Sequence, residues 1–355
     1  MKVPQLQIGG LTAEIPIVQG AMGVRVSLSS LASAVANEGG IGTIASVGLG
    51  DIEASKVEYE RMSREALALE IRKAKSLTSG LLAVNVMGVL SNAEDLIATA
   101  VREGIKMIVA GASLPLRLPG QVEDPSVCLV PIVSSGRAAE LVLRAWDKRF
   151  NRTADAIILE GPLAGGHLGF SIEQLEQIEH YPLQKLLSEV LEAVKPFEDK
   201  YRKKIPVVAG GGIFTGKDVA EILLAGASGV QMATRFVGTF ECDVSPEFKQ
   251  AYLQAKEEDI VIIKSPVGLP GRAIRNEFIK EVERRGRLDI RCPYRCLSTC
   301  DVLHAKYCIA QALINAWSGD VDHGLIFCGQ NAFRVNKIVS VKELMAELLA
   351  ELEAY

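Results

Sequence analysis

Residues 205–236 read IPVVAGGGIFTGKDVAEILLAGASGVQMATRF, and the fold follows outward from them. Two short apolar runs, Ile205–Ala209 and Gly229–Met232, bracket one helical segment. Each run ends in a loop suited to a phosphate. The first loop is Gly210-Gly211-Gly212, where no Cβ blocks close approach of the backbone. The second is Ala233-Thr234-Arg235, which offers N–H groups, a hydroxyl and a guanidinium. Strand, Gly-rich turn, helix, strand, small-residue turn is how the last two βα units of a (β/α)8 barrel commonly hold a phosphate. Glycines that only make tight turns are the alternative.

Six further apolar, β-branched runs precede this pair: Ile15–Gln19, Ile41–Ala45, Leu82–Val86, Met107–Ala110, Cys128–Val133 and Ala156–Leu159. Short runs that are apolar throughout suit strands covered on both faces of a parallel sheet. Helical patterns lie between them, at Leu28–Ala36, Ala93–Val101, Ala138–Trp146, Leu183–Val194 and Val219–Leu224, with Ser29, Ser91 and Thr215 placed as caps. The spacing predicts eight strands and seven intervening helices, an α/β TIM barrel rather than an open doubly wound sheet. Residues 1–240 form the expected barrel core. Residues 241–331 break the rhythm with prolines, charge and most of the cysteines, and read as an insertion or lid after the eighth strand. Residues 332–355 carry an amphipathic helix, Val341–Leu352, expected to pack back on the barrel.

The 355 residues exceed the usual barrel length of about 250 by roughly that insertion. A net charge of −4 leaves no basic footprint for nucleic acid. The amino terminus lacks the apolar segment of a signal peptide, and no run approaches the length of a membrane span. Seven unevenly placed cysteines argue against a secreted disulfide framework. A cytoplasmic protein is expected.

In a barrel the functional loops collect at the strand C-termini. Here those ends are rich in glycine and amides and poor in acids: Ala21-Met22-Gly23, Asn85, Glu160 to Gly169, Gly210 to Gly212 and Ala233-Thr234. Many backbone donors, few charges and a phosphate loop suit a flat uncharged ring with a phosphate tail, as in flavin mononucleotide. The sixth run leads into Glu160-Gly161-Pro162-Leu163-Ala164-Gly165-Gly166-His167-Leu168-Gly169. A histidine there can exchange a proton near neutrality, and its glycines let a ring lie against the backbone. His180 is expected to be structural, at a helix start. His304 stands as either a ligand or a surface residue.

Together these motifs resemble the nitronate monooxygenase family and the related flavin-dependent enoyl-acyl-carrier-protein reductase II. The matching pieces are Pro16-Ile17-Val18-Gln19-Gly20-Ala21-Met22-Gly23, Asn85-Val86-Met87, Ala164 to Gly169, Ala209 to Ile213 and Gly229 to Phe236. The resemblance implies non-covalent FMN. It places Ala21, Met22, Gly23, Asn85, Glu160, Gly165, Gly166 and Gln231 about the cofactor. It puts Gly211, Gly212, Ala233 and Thr234 on the phosphate and makes His167 catalytic. Family members often have Gly where this chain has Ala233, and Ala keeps the N–H. Two activities stay open: oxidation of an alkyl nitronate by O2 to a carbonyl compound and nitrite, taken first, and NAD(P)H-dependent reduction of an enoyl thioester or quinone. A regulatory barrel without catalysis is the third reading. In the reductase reading Lys264 and Arg272 either meet a pyrophosphate or form solvated surface. The partner is a small molecule, and a homodimer is a further expectation.

The carboxyl-terminal cysteines depart from the resemblance. Cys292, Cys296, Cys300 and Cys308 have the spacing C-x3-C-x3-C-x7-C. Four thiols so close in sequence suit an iron–sulfur cluster, zinc, or reduced structural or redox thiols. The spacing matches neither the common ferredoxin run nor a CxxC zinc pair.

Overall fold

The computed structural model describes residues 1–355. Eight parallel strands close into a barrel: β1 (Ile17–Gln19), β2 (Ile41–Ala45), β3 (Leu81–Met87), β4 (Met107–Gly111), β5 (Cys128–Val133), β6 (Ile157–Glu160), β7 (Val207–Gly210) and β8 (Gly229–Met232). Each pairs with its neighbours in chain order, and β8 pairs with β1 to close the ring. The unbroken apolar character of the strands has a direct cause. Alternate residues enter two separate cores. Val18, Ala83, Val109, Val130, Ile158 and Val208 point into the barrel, while Ile17, Val84, Ile108, Leu129, Ile157 and Val207 pack outward under the helices. An amino-terminal hairpin, Leu6–Ile8 paired with Leu11–Ala13, adds Leu6, Ile8 and Ala13 to the inner core and stoppers that end of the barrel. The opposite end, where the strands finish, stays open for the site.

Seven α-helices lie between the strands: Ser29–Asn37, Lys56–Leu77, Ala93–Arg102, Gly136–Phe150, the short Ile172–Glu176, Leu183–Tyr201 and Gly216–Leu224. The count matches the expected seven, but the connection from β6 to β7 holds two of them and the one from β4 to β5 holds none. Between β4 and β5 only a 3-10 turn forms, Leu118–Gln121. Pro115 and Pro119 explain this, since each removes a backbone donor and obstructs a continuous helix. Thr215 caps its helix in a full capping box with Asp218. Ser29 and Ser91 do not cap: Leu28 and Asn92 occupy those positions, neither with a side-chain cap bond. Asp243 compensates at the first helix, where its carboxylate accepts from the N–H groups of Leu28 and Leu31 at 2.8 and 3.2 Å.

After β8 the chain runs over the barrel mouth. Two antiparallel strands, Ile260–Lys264 and Pro270–Ile274, form a small sheet there. The last helix, Val341–Ala354, buries Val341, Leu344, Met345, Leu348 and Leu352 against Gly216–Leu224 and Ser29–Asn37. It fills the position after β8 that an eighth barrel helix would take.

Candidate active site

The strand ends and the covering segment enclose one main cavity of about 250 Å³. Its wall contains Ala21, Met22, Gly23, Asn85, Glu160, Gly165, Gly166, His167, Gly211, Gly212, Gln231, Ala233 and Thr234. Every residue that sequence reasoning assigned to the flavin site or to catalysis is therefore brought to the same space.

The phosphate loops are adjacent because β7 and β8 pair, with Gly210 beside Gln231. Gly211 and Gly212 have φ of 102° and 89°, the left-handed region that glycine tolerates. The backbone N–H groups of Gly212 and Ala233 donate to no other backbone group. Free donors converging on a cavity fit an anionic group. The loop after Phe327 completes the cradle: Gly329 N–H donates to Thr234 Oγ1 at 3.1 Å, and Asn331 Nδ2 donates to the Gly212 carbonyl at 2.7 Å. Sequence reasoning missed Gly329, Gln330 and Asn331, all in the cavity wall. The Cys-Gly-Gln-Asn run at 328–331 was their only signal, and nothing local ties it to loops a hundred residues earlier.

At β3, Ser46 Oγ donates to the Asn85 carbonyl at 2.8 Å, which anchors the strand end while the Asn85 side chain lines the cavity. At β1, Gln19 is fully buried; its Oε1 accepts from Thr43 N–H at 2.9 Å and its Nε2 donates to the Gly20 carbonyl at 2.6 Å. That pair of bonds sets where the Gly20–Gly23 turn leaves the barrel. Met22 N–H donates to Ser27 Oγ at 2.9 Å within the same turn.

The histidine loop is held from above. Gly166–His167 forms a short strand against the covering sheet, with Gly271 opposite His167 and Arg272 opposite Gly166. Gly165 has no room for a side chain: a Cβ there would lie 2.6 Å from the Cys328 carbonyl carbon and the Gly329 nitrogen. His167 Nε2 is hydrogen-bonded to Ser265 Oγ at 2.8 Å, and the ring meets the edge of Phe327 with centroids 5.0 Å apart. Tyr252 fixes that segment by donating to the Phe327 carbonyl at 2.7 Å. Burial pushes the His167 imidazole down to about 4, so it is neutral at physiological pH. Burial pushes the Glu160 carboxyl the other way, up to about 7.

Arg272 departs from both sequence readings. It is neither solvated surface nor available for a pyrophosphate. It is 2 % exposed and donates to the carbonyls of Pro162, at 2.8 Å, and of Ala164. Its guanidinium thus satisfies the backbone of the histidine loop. Lys264 is exposed. His180 is exposed and ends a 3-10 turn. His304 is exposed and paired with Asp301 at 2.7 Å. Cys292, Cys296, Cys300 and Cys308 line a second, smaller cavity. No set of three or more His, Cys, Asp or Glu side chains converges as a single metal ion requires.

With this geometry in view, comparison with known proteins is decisive. The nitronate monooxygenase family model matches residues 5–351. The chain belongs to the nitronate monooxygenase family. It is an oxidoreductase, and the family is one of flavin enzymes. A (3aS,4S,5R,7aS)-5-hydroxy-7a-methyl-1-oxo-octahydro-1H-indene-4-carboxyl-CoA dehydrogenase of Mycobacterium tuberculosis is 31% identical over 81% of this chain and 70% of its own length. A probable nitronate monooxygenase of Staphylococcus aureus (strain Newman) is 30% identical over 54% of this chain; the chain spans about half of that relative, 52%. Among solved structures, FabK from Thermotoga maritima superposes with a TM-score of 0.73 at 26% identity, over 96% of this chain and 94% of that one. A nitroalkane oxidase from Streptomyces ansochromogenes shares the fold, with a TM-score of 0.73 at 23% identity and 96% coverage of both chains. No helix is long and apolar enough to cross a membrane.

Proposed function

We propose that this chain binds FMN at the barrel mouth and moves a hydride between the flavin and the carbon chain beside the carbonyl of an acyl thioester. The observation that carries this reading is the charge of the cavity. Its wall includes His167 and Glu160 but no Lys or Arg. A neutral imidazole in an apolar wall suits a neutral carbonyl acceptor. With the free N–H donors of the phosphate loops taken by the cofactor, a substrate anion would be desolvated there with no cation to offset the cost. The 81% overlap with a CoA-thioester dehydrogenase and the 96% overlap with FabK support the same substrate class.

In this reading Gly211, Gly212, Ala233 and Thr234 hold the phosphate through N–H groups and a hydroxyl. Ala21, Met22, Gly23, Asn85, Gly165 and Gly166 flank the ring, with Gln231 and Glu160 at its edge. The flavin, when bound, supplies the hydride chemistry, and the protein supplies placement and proton control. Ser265 holds His167 at Nε2 and leaves Nδ1 to face a reacting group. A reduced nicotinamide is the hydride source in the reductive direction.

Nitronate oxidation, which the sequence alone puts first, is the second reading, favoured by the family match over residues 5–351. Steady-state assays separate the two. With FMN-loaded enzyme, kcat/KM for a short enoyl thioester plus NADH or NADPH, or for a hydroxyacyl thioester with an artificial acceptor, is expected to exceed that for ethyl nitronate with oxygen. A higher value for the nitronate reverses the order.

A further inference from the structure

The chain between Arg285 and Ile309 contains neither helix nor strand, a long irregular stretch for the interior of a compact fold. It is nevertheless ordered: Leu288 N–H donates to the Lys306 carbonyl at 2.7 Å and closes the stretch on itself, while Ser91 N–H donates to the Cys296 carbonyl at 3.0 Å and Ser298 N–H to the Val89 carbonyl at 2.9 Å, tying it to the body. The stretch folds around a small apolar cavity whose wall holds all four of Cys292, Cys296, Cys300 and Cys308. All four are free thiols. A second observation points into the same space. Tyr307 lines the cavity, is 4 % exposed, and its buried hydroxyl has no hydrogen-bond partner. A buried unpaired hydroxyl costs about 1–3 kcal/mol, so the protein alone leaves this group unexplained.

We infer that Cys292, Cys296, Cys300 and Cys308 are the four-thiolate seat of an iron–sulfur cluster of the [4Fe–4S] class, one sulfur to each iron, with the Tyr307 hydroxyl as a donor to a cluster or ligand sulfur. A single zinc ion fits less well. At about 2.3 Å from zinc, four sulfurs crowd together, and no three side chains here converge so closely. A polynuclear cluster fills the space between thiols that stand around a cavity rather than at a point. All four thiols face one cavity wall, and cluster binding by thiols releases their protons. The seat adjoins the main cavity, because Cys296, Leu297 and Ile309 belong to the walls of both.

The test is iron, acid-labile sulfide and zinc determination on the full chain purified anaerobically, before and after reconstitution with ferrous iron and sulfide. About four iron and four sulfide per chain are expected, with an EPR signal on dithionite reduction. Cys296→Ala and Cys300→Ala should each lower the iron and sulfide content at least several-fold, while Cys128→Ser, at the stoppered end of the barrel, retains them. The wild-type analysis stands even if a cysteine variant misfolds. Zinc without sulfide, or four alkylatable thiols and no iron after reconstitution, overturns the inference. None of these readouts depends on flavin turnover.

Discussion

His167 is a cavity histidine whose protonation is fixed by burial rather than by a charged partner. Its pKa near 4 means that the neutral ring persists through the range from pH 5 to 8. Loss of kcat/KM through its protonation should then appear only as pH falls toward 4, and a pH profile of the FMN-loaded enzyme checks this. His167→Ala should lower kcat by about 10²- to 10⁴-fold, the usual span for a lost proton-transfer group, with flavin retained in the absorbance spectrum. Glu160 has the opposite signature. Its folded pKa near 7 lies above the ordinary 4.5, so the folded state holds the extra proton between those values. Its stability contribution is complete below about pH 4.5 and is lost as pH rises through 7. Glu160→Gln should therefore gain stability relative to wild type on going from pH 5 to pH 8, by at most about 3 kcal/mol, read by denaturant unfolding at each pH. The sequence placed both residues at the end of the sixth strand. It carried no sign of Ser265 or Phe327, because their contacts with His167 span 98 and 160 residues of chain and no local pattern encodes them.

At the scale of elements, the covering sheet and the histidine loop form one unit. Arg272 joins them by giving two carbonyls of the loop their donors from a fully buried position. Arg272→Lys should not rescue this. An ammonium lacks the planar fork that serves two acceptors at once. Both Arg272→Lys and Arg272→Ala should destabilise the protein by about 2–4 kcal/mol, seen as a lower thermal midpoint together with weaker FMN retention. Gly165→Ala probes the other side of the unit. Its Cβ would strike backbone at Cys328 and Gly329, not a side chain that can swing away. Reduced FMN occupancy after gel filtration is expected. The strands themselves were legible because both of their faces are apolar, for the reason the two cores make plain. The missing fourth helix was signalled by Pro115 and Pro119, whose effect outweighs the regular alternation on either side.

For the whole molecule, the chain's end closes its beginning. The Met1 ammonium donates to the carbonyls of Leu352 and Glu353 at 3.2 and 2.7 Å, and Arg235 pairs with Glu347 at 2.7 Å. The last helix thus joins the phosphate-loop strand and the amino terminus to one outer layer. Leu348 is 1 % exposed within it. Leu348→Ala should cost about 2–5 kcal/mol, and removal of residues 341–355 should exceed the total stability of an ordinary domain. The first is read by denaturant unfolding and the second by loss of soluble protein. The central claim is tested most directly without any nicotinamide. FMN-loaded enzyme is photoreduced anaerobically and mixed in a stopped-flow with crotonyl-CoA while the flavin absorbance is followed. The account predicts that the thioester returns the oxidised flavin spectrum and that His167→Ala slows the return at least a hundredfold. A flavin that stays reduced with the thioester, while ethyl nitronate bleaches the oxidised enzyme, would contradict it.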